Sequence, residues 1–167
     1  MTLLSELNPQ AIRIAKMLRE KNENIAVADG ATGGLIAASL LTVPGALDFF
    51  VGGGVVYSLR ARTILFNQPD AVYRKMRGVS KDYAILQAKS IRSNFGSDWG
   101  LAESGSAGGS CHPTGAAAGR SCVAIVGPNH LEEVRITDTK DDKRITNMEN
   151  FSRSALQFLE ETLSKYR

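Results

Sequence analysis

The stretch from Ile25 to Leu41 reads IAVADGATGGLIAASLL, and it decides the fold. The short apolar run from Ile25 to Ala28 predicts a buried strand, and the run from Leu35 to Leu41 predicts a helix. The glycine-rich residues 29–34 join them in a tight turn. Such strand, turn and helix units build parallel sheets that are covered by helices, and ligands bind at the carboxyl edge of those sheets.

Strands and helices alternate on both sides of this unit. Asn8-Pro9 predicts the start of a helix that runs to about Lys21. A strand is predicted over 49–57, and its three consecutive glycines, 52–54, indicate a bulge or a close backbone approach. The other predicted elements are helices over 59–66, 70–76, 81–95 and about 142–165, a strand over 99–103, and a hairpin of strands over 121–126 and 130–136.

This order predicts one domain, residues 1–167, with an α/β fold. We expect a three-layer α/β/α sandwich with a mixed, mostly parallel sheet. The chain has 43% hydrophobic and 22% charged residues, which is typical of a soluble globular protein with a buried core.

Composition also restricts the classes of partner. The formal charge of +3 is spread along the chain without a nucleic-acid-binding motif, so we expect no nucleic-acid partner. The sequence has no signal-peptide pattern and no apolar run near the ~18 residues that a membrane helix needs. We therefore expect a cytoplasmic protein that does not contact membranes. Two cysteines and two histidines are too few for a disulfide framework or a cysteine-based zinc site. We therefore expect no metal and no cofactor.

Two glycine-rich segments, 29–34 and 104–109, each follow a predicted strand. Glycines allow close approach of a ligand to the backbone, and N–H groups at a helix start can receive an anion or an oxyanion. Neither segment has the dinucleotide-binding or Walker A spacing. From the residues alone, two tight turns without a ligand remain an open interpretation.

The motifs and their spacing resemble the CinA C-terminal domain family. Typical members read A-E-S-C-T-G-G-L, then V-P-G, F-x-G-G-V-V-x-Y-S-x-x-x-K, G-A-V-S and G-x-A-V-T-G-I-A-G-P. This chain reads ADGATGGL at 28–35, VPG at 43–45, FVGGGVVYS at 50–58, GVS at 78–80 and GLAESGSAG at 100–108. Gly119 and Arg144 match a later glycine and an arginine that opens the last helix. The resemblance covers about residues 10–165.

This resemblance implies an amidase that converts nicotinamide mononucleotide to the nicotinate nucleotide and ammonia, with a serine nucleophile and a nearby lysine. Gly30 stands at the serine position and Arg62 at the lysine position, while Ala31 and Glu103 replace a cysteine and an apolar residue. Glycine has no nucleophile, and a guanidinium stays protonated and cannot act as a base. We therefore expect the serine-based reaction to be lost.

Three hypotheses about function follow. In the first, the protein keeps a pocket for a small molecule, such as a pyridine nucleotide, without the amidase chemistry. In the second, Asp29 or Glu103 acts as a general base on water, and Ser104 or Ser106 orients the substrate. In the third, the protein is a non-catalytic homo-oligomer with a vestigial pocket; self-association is implied by the resemblance. The predicted ligand-binding residues are Gly30, Ala31, Thr32, Gly33, Tyr57, Arg62, Ser104, Gly105 and Arg144.

Structural roles compete with each of these assignments. Thr32 is also a good helix N-cap, and Tyr57 an ordinary core residue. Asp29 and Glu103 could simply accept hydrogen bonds from their own turns. Arg62 has two interpretations, a phosphate-binding residue or a partner of a surface carboxylate.

Overall fold

The computed structural model describes residues 1–166, and the helices and strands follow the predicted order. The helices are α1 (Leu3–Glu20), α2 (Leu35–Leu40), α3 (Leu59–Phe66), α4 (Asp70–Tyr73), α5 (Lys81–Phe95) and α6 (Arg144–Lys165), with a 3-10 turn at Ala46–Asp48. The strands are β1 (Ile25–Asp29), β2 (Phe50–Val55), β3 (Trp99–Ser106), β4 (Arg120–Val126) and β5 (Glu132–Asp138).

The strands form one sheet in the order β2-β1-β3-β4-β5. β1 pairs in parallel with β2 and β3, whereas β4 pairs antiparallel with both β3 and β5. Four strands therefore run in one direction and β4 runs in the other, which confirms the mixed, mostly parallel sheet. The chain leaves β1 toward β2 on one side and returns to β3 on the other, so the carboxyl end of β1 is a topological switch point.

Helices cover both faces of the sheet because the strand side chains alternate between them. Val27 and Leu101 belong to the core under α1, α2 and α6. Ala26 and Ala102 face the opposite way and pack with α5. These two apolar layers confirm the predicted three-layer α/β/α sandwich.

The three glycines of β2 show both predicted features. Ile25 pairs with Phe50, but the next residue, Ala26, pairs with Gly52, so the register shifts by one residue. A Cβ atom on Gly53 would lie 1.8 Å from the carbonyl oxygen of Val27, a backbone atom that cannot move aside. The close approach of β2 to β1 therefore requires glycine at position 53.

The start of α1 differs from the prediction. The helix begins five residues before Asn8, and Thr2 caps it by accepting the Ser5 N–H with its side chain. Asn8 instead donates its amide to Thr42 Oγ1 at 3.0 Å, and Pro9 lies inside the helix. Asn8-Pro9 matches the usual pattern of a helix start, but Thr2 is also a good N-cap residue and lies six residues earlier, so the helix begins there.

Strand β3 extends three residues beyond its predicted end. Ser104, Gly105 and Ser106 pair with Cys122, Ser121 and Arg120 of β4. The glycine-rich composition suggested a loop, but the antiparallel partner supplies backbone hydrogen bonds that hold these residues in the sheet. Only residues 107–109 of the second glycine-rich segment lie outside the strand.

Candidate functional site

A cavity of about 450 Å³ opens at the carboxyl edge of β1 and β3, at the switch point of the sheet. The turn after β1, the end of β3, helices α3 and α5, and residues 110–114 form its walls. All the predicted ligand-binding residues line it except Thr32 and Gly33. Those that line it are Gly30, Ala31, Tyr57, Arg62, Ser104, Gly105 and Arg144.

Asp29 holds the start of α2. Its carboxylate accepts the N–H groups of Ile36 at 3.0 Å and Ala37 at 3.2 Å, and its side chain is 1% exposed. A carboxylate at a helix N-terminus is stabilised by the unpaired N–H groups and by the helix dipole. Asp29 therefore fixes α2 against β1, and it does not line the cavity.

Glu103 occupies the N–H groups of the turn after β1. One oxygen, Oε2, accepts the N–H of Gly30 at 3.2 Å and that of Thr32 at 3.1 Å. The other, Oε1, accepts the hydroxyl of Ser121 at 2.7 Å. Glu103 is 1% exposed, and both of its oxygens have donors within the protein. The turn presents its N–H groups to an internal carboxylate, in the way that such turns present them to a bound anion.

Thr32 joins the two carboxylates. Its hydroxyl lies 2.6 Å from Asp29 Oδ1 and 3.2 Å from Glu103 Oε2. The N-cap residue of α2 is Gly34, so the interpretation of Thr32 as the N-cap residue is wrong. Gly33 and Gly34 have positive φ angles, 64° and 99°, and they shape the turn between Thr32 and the helix. Thr32 and Gly33 thus serve the architecture of the turn.

Burial raises the pKa of both carboxyl groups above their ordinary values. For Asp29, the hydrogen bonds from Thr32, Ile36 and Ala37 act in the opposite direction. For Glu103, the hydrogen bonds from Ser121 and Thr32 lower the pKa, while the nearby charge of Asp29 raises it further. A proton on Glu103 Oε1 can be donated to Ser121 Oγ, which reverses the direction of that hydrogen bond and keeps the contact between the two side chains.

Gly30 and Gly105 make room for Glu103. A Cβ atom on Gly30 would lie 2.3 Å from the backbone oxygen of Glu103, and one on Gly105 would lie 2.4 Å from its Oε1. Real Cβ atoms do not approach so closely, so either substitution forces the backbone or the carboxylate to move. Position 30 therefore has no space for a serine side chain in this conformation.

Arg62 contributes a buried cation to the cavity wall. Its side chain is 7% exposed, and within residues 1–166 it forms no ion pair and its Nε has no hydrogen-bond acceptor. Its guanidinium carbon lies 3.9 Å from the centre of the Tyr73 ring and 5.8 Å from that of Tyr83. A desolvated cation–π contact contributes about 2 kcal/mol, against a burial cost of several kcal/mol for a charge. The rings therefore offset only part of that cost.

The mouth of the cavity carries a second arginine. Arg144, at the start of α6, donates to the Gly108 carbonyl at 2.8 Å and to the Tyr57 hydroxyl at 3.2 Å. Tyr57 is 71% exposed, so the interpretation of Tyr57 as a core residue is wrong. Both side chains are accessible to a ligand at the mouth.

Two further lining residues, on α5, lie outside the predicted set. Gln87 and Tyr83 face the cavity, although helical spacing places them with the core residues of that helix. Gln87 is 2% exposed and its amide has no hydrogen-bond partner in the part of the chain that the structure describes. The sequence signal was the glutamine itself, because a carboxamide within an apolar stripe needs a partner.

The two serines of β3 also face different surroundings from the carboxylates. Ser104 Oγ accepts the Val79 N–H at 3.0 Å, on the α5 side of the sheet, whereas Glu103 points to the opposite side. Ser106 is 4% exposed and lines the cavity. Asp29 and Glu103 therefore converge on Thr32 rather than on Ser104.

Residues 1–166 contain neither a cluster of metal-ligating side chains nor a membrane-spanning helix. No group of three or more His, Cys, Asp or Glu side chains is arranged to hold a metal ion there. Cys111 and Cys122 are both free thiols. Among residues 1–166 no helix combines the length and apolar character needed to cross a membrane.

We expect Glu103→Gln to change how stability depends on pH. The raised pKa means that folded wild-type protein keeps a proton that the unfolded chain loses near pH 4.5. The wild-type free energy of unfolding therefore falls, relative to that of Glu103→Gln, as the pH rises from about 4.5 through the folded pKa. Urea unfolding at several pH values between about 4 and 8 measures this difference.

The control is Glu6→Gln, because a hydrogen bond from Arg153 lowers the pKa of exposed Glu6. That stabilising effect is present above pH 4.5 and is lost as the pH falls. The free energy of unfolding of wild type, relative to that of Glu6→Gln, therefore rises with pH, whereas relative to that of Glu103→Gln it falls. Parallel pH profiles for wild type and Glu103→Gln would contradict a raised pKa at Glu103.

Comparison with known proteins places this site in a family. The CinA C-terminal domain family model matches residues 8–163. A CinA-like protein of Synechococcus sp. (strain RCC307) is 33% identical over 122 residues, 71% of this chain and 29% of that protein. A CinA-like protein of Myxococcus xanthus is 32% identical over 135 residues, 79% of this chain and 32% of that protein. The chain therefore spans about a third of the length of these relatives.

A solved structure shows the same fold at lower identity. The competence damage-inducible protein A of Klebsiella pneumoniae superposes with a TM-score of 0.87 at 22% identity, over 96% of this chain and 99% of that one. The family match extends over the turn after β1, strand β3 and the first residues of α6, which together build the cavity. This chain belongs to the CinA C-terminal domain family.

Proposed function

We propose that this chain is a small-molecule-binding member of the family, and that its cavity takes an anionic, nucleotide-like ligand, of which pyridine nucleotides are the first candidates. We further propose that the serine-based amidase reaction does not occur, and that the protein acts in the cytoplasm. The observation that carries the proposal is Arg62, a buried cation without an anionic partner on the wall of the cavity.

The charges around the cavity favour an anionic ligand. Arg62 lies within the wall and Arg144 at the mouth, while Glu103, the acidic residue of the lining, has both oxygens occupied by Gly30, Thr32 and Ser121. A ligand with negative charge would supply the acceptors that the guanidinium of Arg62 lacks. The distribution of charge therefore suits a phosphate or a carboxylate better than a cation.

Two features of the turn after β1 argue against serine-based chemistry. Gly30 has no side chain and no space for one, because its Cβ position meets the backbone oxygen of Glu103. The N–H groups of Gly30 and Thr32, which would otherwise stabilise an oxyanion, already donate to Glu103. A reaction by this route would need both a nucleophile and a free oxyanion site.

A relocated active site is the second candidate, and one observation favours it. The raised pKa of Asp29 and that of Glu103 are typical of general bases. Their geometry counts against this role, because Asp29 does not line the cavity and the oxygens of Glu103 accept hydrogen bonds from the protein. The raised pKa values follow from burial in a structural cluster that also contains Thr32.

We also propose that the protein forms a homo-oligomer. β2 is an edge strand of the sheet, and its Val51 and Val55 are 40% and 45% exposed. An uncovered edge strand with apolar side chains is suited to pairing with a second chain. In light scattering, a molar mass of 18.0 kDa, that of one chain, would contradict this proposal.

We expect nicotinamide mononucleotide or its acid to raise the melting temperature without release of ammonia. Ligand at ~100 times its Kd adds about 2.7 kcal/mol to the stability of the folded state, which a thermal-shift titration detects. In Arg62→Met the Kd rises roughly 10- to 100-fold, the usual effect of losing a charged hydrogen bond.

The matched control for that experiment is Arg60→Met, which removes an exposed arginine from the same helix and leaves the Kd unchanged. Ammonia release by wild type that disappears in Glu103→Gln or Asp29→Asn would instead support the relocated active site. The absence of a shift with both nucleotides would refute the pyridine-nucleotide proposal.

Restoring the serine does not restore the reaction. We expect Gly30→Ser to lower the free energy of unfolding by about 3 kcal/mol, the upper part of the range for overpacked sites, because its Cβ meets a backbone atom. The double variant Gly30→Ser with Arg62→Lys releases no ammonia from nicotinamide mononucleotide. Urea unfolding and an ammonia assay measure the two effects.

Ala31→Ser is the control, since residue 31 already carries a Cβ atom and lines the same cavity. We expect this variant to unfold within about 1 kcal/mol of wild type. Ammonia release by the double variant would overturn our account of the turn after β1.

A further inference from the structure

Three polar side chains form a buried polar wall of the cavity: Arg62 on α3, Gln87 on α5 and Ser104 on β3. They are 7%, 2% and 9% exposed, so each is at least nine-tenths buried. Arg62 Nε and the Gln87 amide have no hydrogen-bond partner among residues 1–166. Ser104 Oγ accepts the Val79 N–H, which leaves its own proton available to a ligand.

The guanidinium of Arg62 has two aromatic neighbours, and its Nε, which is buried, has no hydrogen-bond acceptor within residues 1–166. Tyr73 lies against the guanidinium at 3.9 Å, and Tyr83 lies farther from it at 5.8 Å. Ring contacts use the face of a guanidinium, whereas its five N–H donors point outward in its plane. The contacts with these rings therefore do not supply an anionic partner for Arg62. An acceptor with two oxygens in one plane matches such a fork of donors.

The buried polar wall offers many more donors than acceptors. Arg62 supplies only donors, Gln87 supplies two donors and one acceptor, and Ser104 supplies one donor. The carboxylate oxygens of Glu103 are turned away to Gly30, Thr32 and Ser121, so they do not neutralise Arg62. A ligand group that faces this wall must therefore bring acceptors and a negative charge.

We propose that the buried polar wall binds the carboxylate of a planar, aromatic acid, and that the cavity consequently prefers a carboxylic acid to the corresponding carboxamide. The apolar lining residues Val56, Leu59 and Met76, with the ring of Tyr83, suit the aromatic part of such a ligand. This inference adds detail to the proposed function. It rests on that function only for the nucleotide part of the ligand.

A carboxamide of the same shape fits the buried polar wall poorly. It has no net charge to pair with Arg62, and its NH₂ group would direct two donors toward a wall that is itself rich in donors. Buried donors that face each other remain unpaired, which is the usual basis of strong discrimination between close analogues. The wall thus distinguishes the acid from the amide by charge and by hydrogen-bonding pattern.

The test uses nicotinate and nicotinamide, which have the same ring and differ in this one group. We expect wild-type protein, in isothermal titration calorimetry at pH 7.5, to bind nicotinate at least about tenfold more tightly than nicotinamide. Arg62→Met removes the preference. Gln87→Leu weakens nicotinate binding severalfold, whereas Arg60→Met, on the exposed side of α3, leaves both affinities unchanged.

Melting temperatures show whether each variant is folded. The Arg60→Met control shows whether removal of any arginine charge weakens binding, or only removal of the Arg62 charge in the cavity wall. Equal binding of the two probes, tighter binding of nicotinamide, a preference that survives Arg62→Met, or no binding of either probe would overturn the proposal. If nicotinate is preferred while neither mononucleotide binds, the carboxylate site stands and the pyridine-nucleotide function fails.

Discussion

The carboxylate of Glu103 is the constraint on which the cavity edge of the sheet depends. It joins the turn after β1 to β3 and β4 through Gly30, Thr32 and Ser121. Because the group is buried, every one of those donors would otherwise lack an acceptor, and the turn would lose its shape. Gly30 and Gly105 follow from the same constraint, since any side chain there would displace the carboxylate or its backbone.

This internal carboxylate occupies the N–H groups of the turn after β1 at one edge of the sheet. An anion site formed by the turn after β1 is filled from within the protein, while the cationic group Arg62 lies unpaired on the other side of the strand ends. The cavity therefore combines a turn whose N–H groups are already hydrogen-bonded with a wall that is rich in unpaired donors. Folds keep their architecture while the side chains in a site set its chemistry.

Much of the fold was predictable because it depends on local patterns. Ser58 and Ser80 directly precede the predicted helices over 59–66 and 81–95, and each accepts the N–H group expected of a helix cap. The end of β3 was not predictable, because Ser104 to Ser106 are held by pairing with β4, a partner distant in sequence. For the site, the sequence indicated many of its residues but not their partners: Thr32 suits a helix cap yet bonds Asp29, and Gln87 has the spacing of a core residue yet lines the cavity.

By itself the sequence determined the order of strands and helices, the family, and the absence of a serine at position 30, since these depend on spacing and residue identity. Only the tertiary structure decided that Glu103 satisfies the turn after β1 while Arg62 and Gln87 have no hydrogen-bond or ion-pair partner within residues 1–166. The physical reason is that hydrogen bonding and desolvation depend on distances between residues far apart in the chain, such as the 73 positions that separate Gly30 from Glu103.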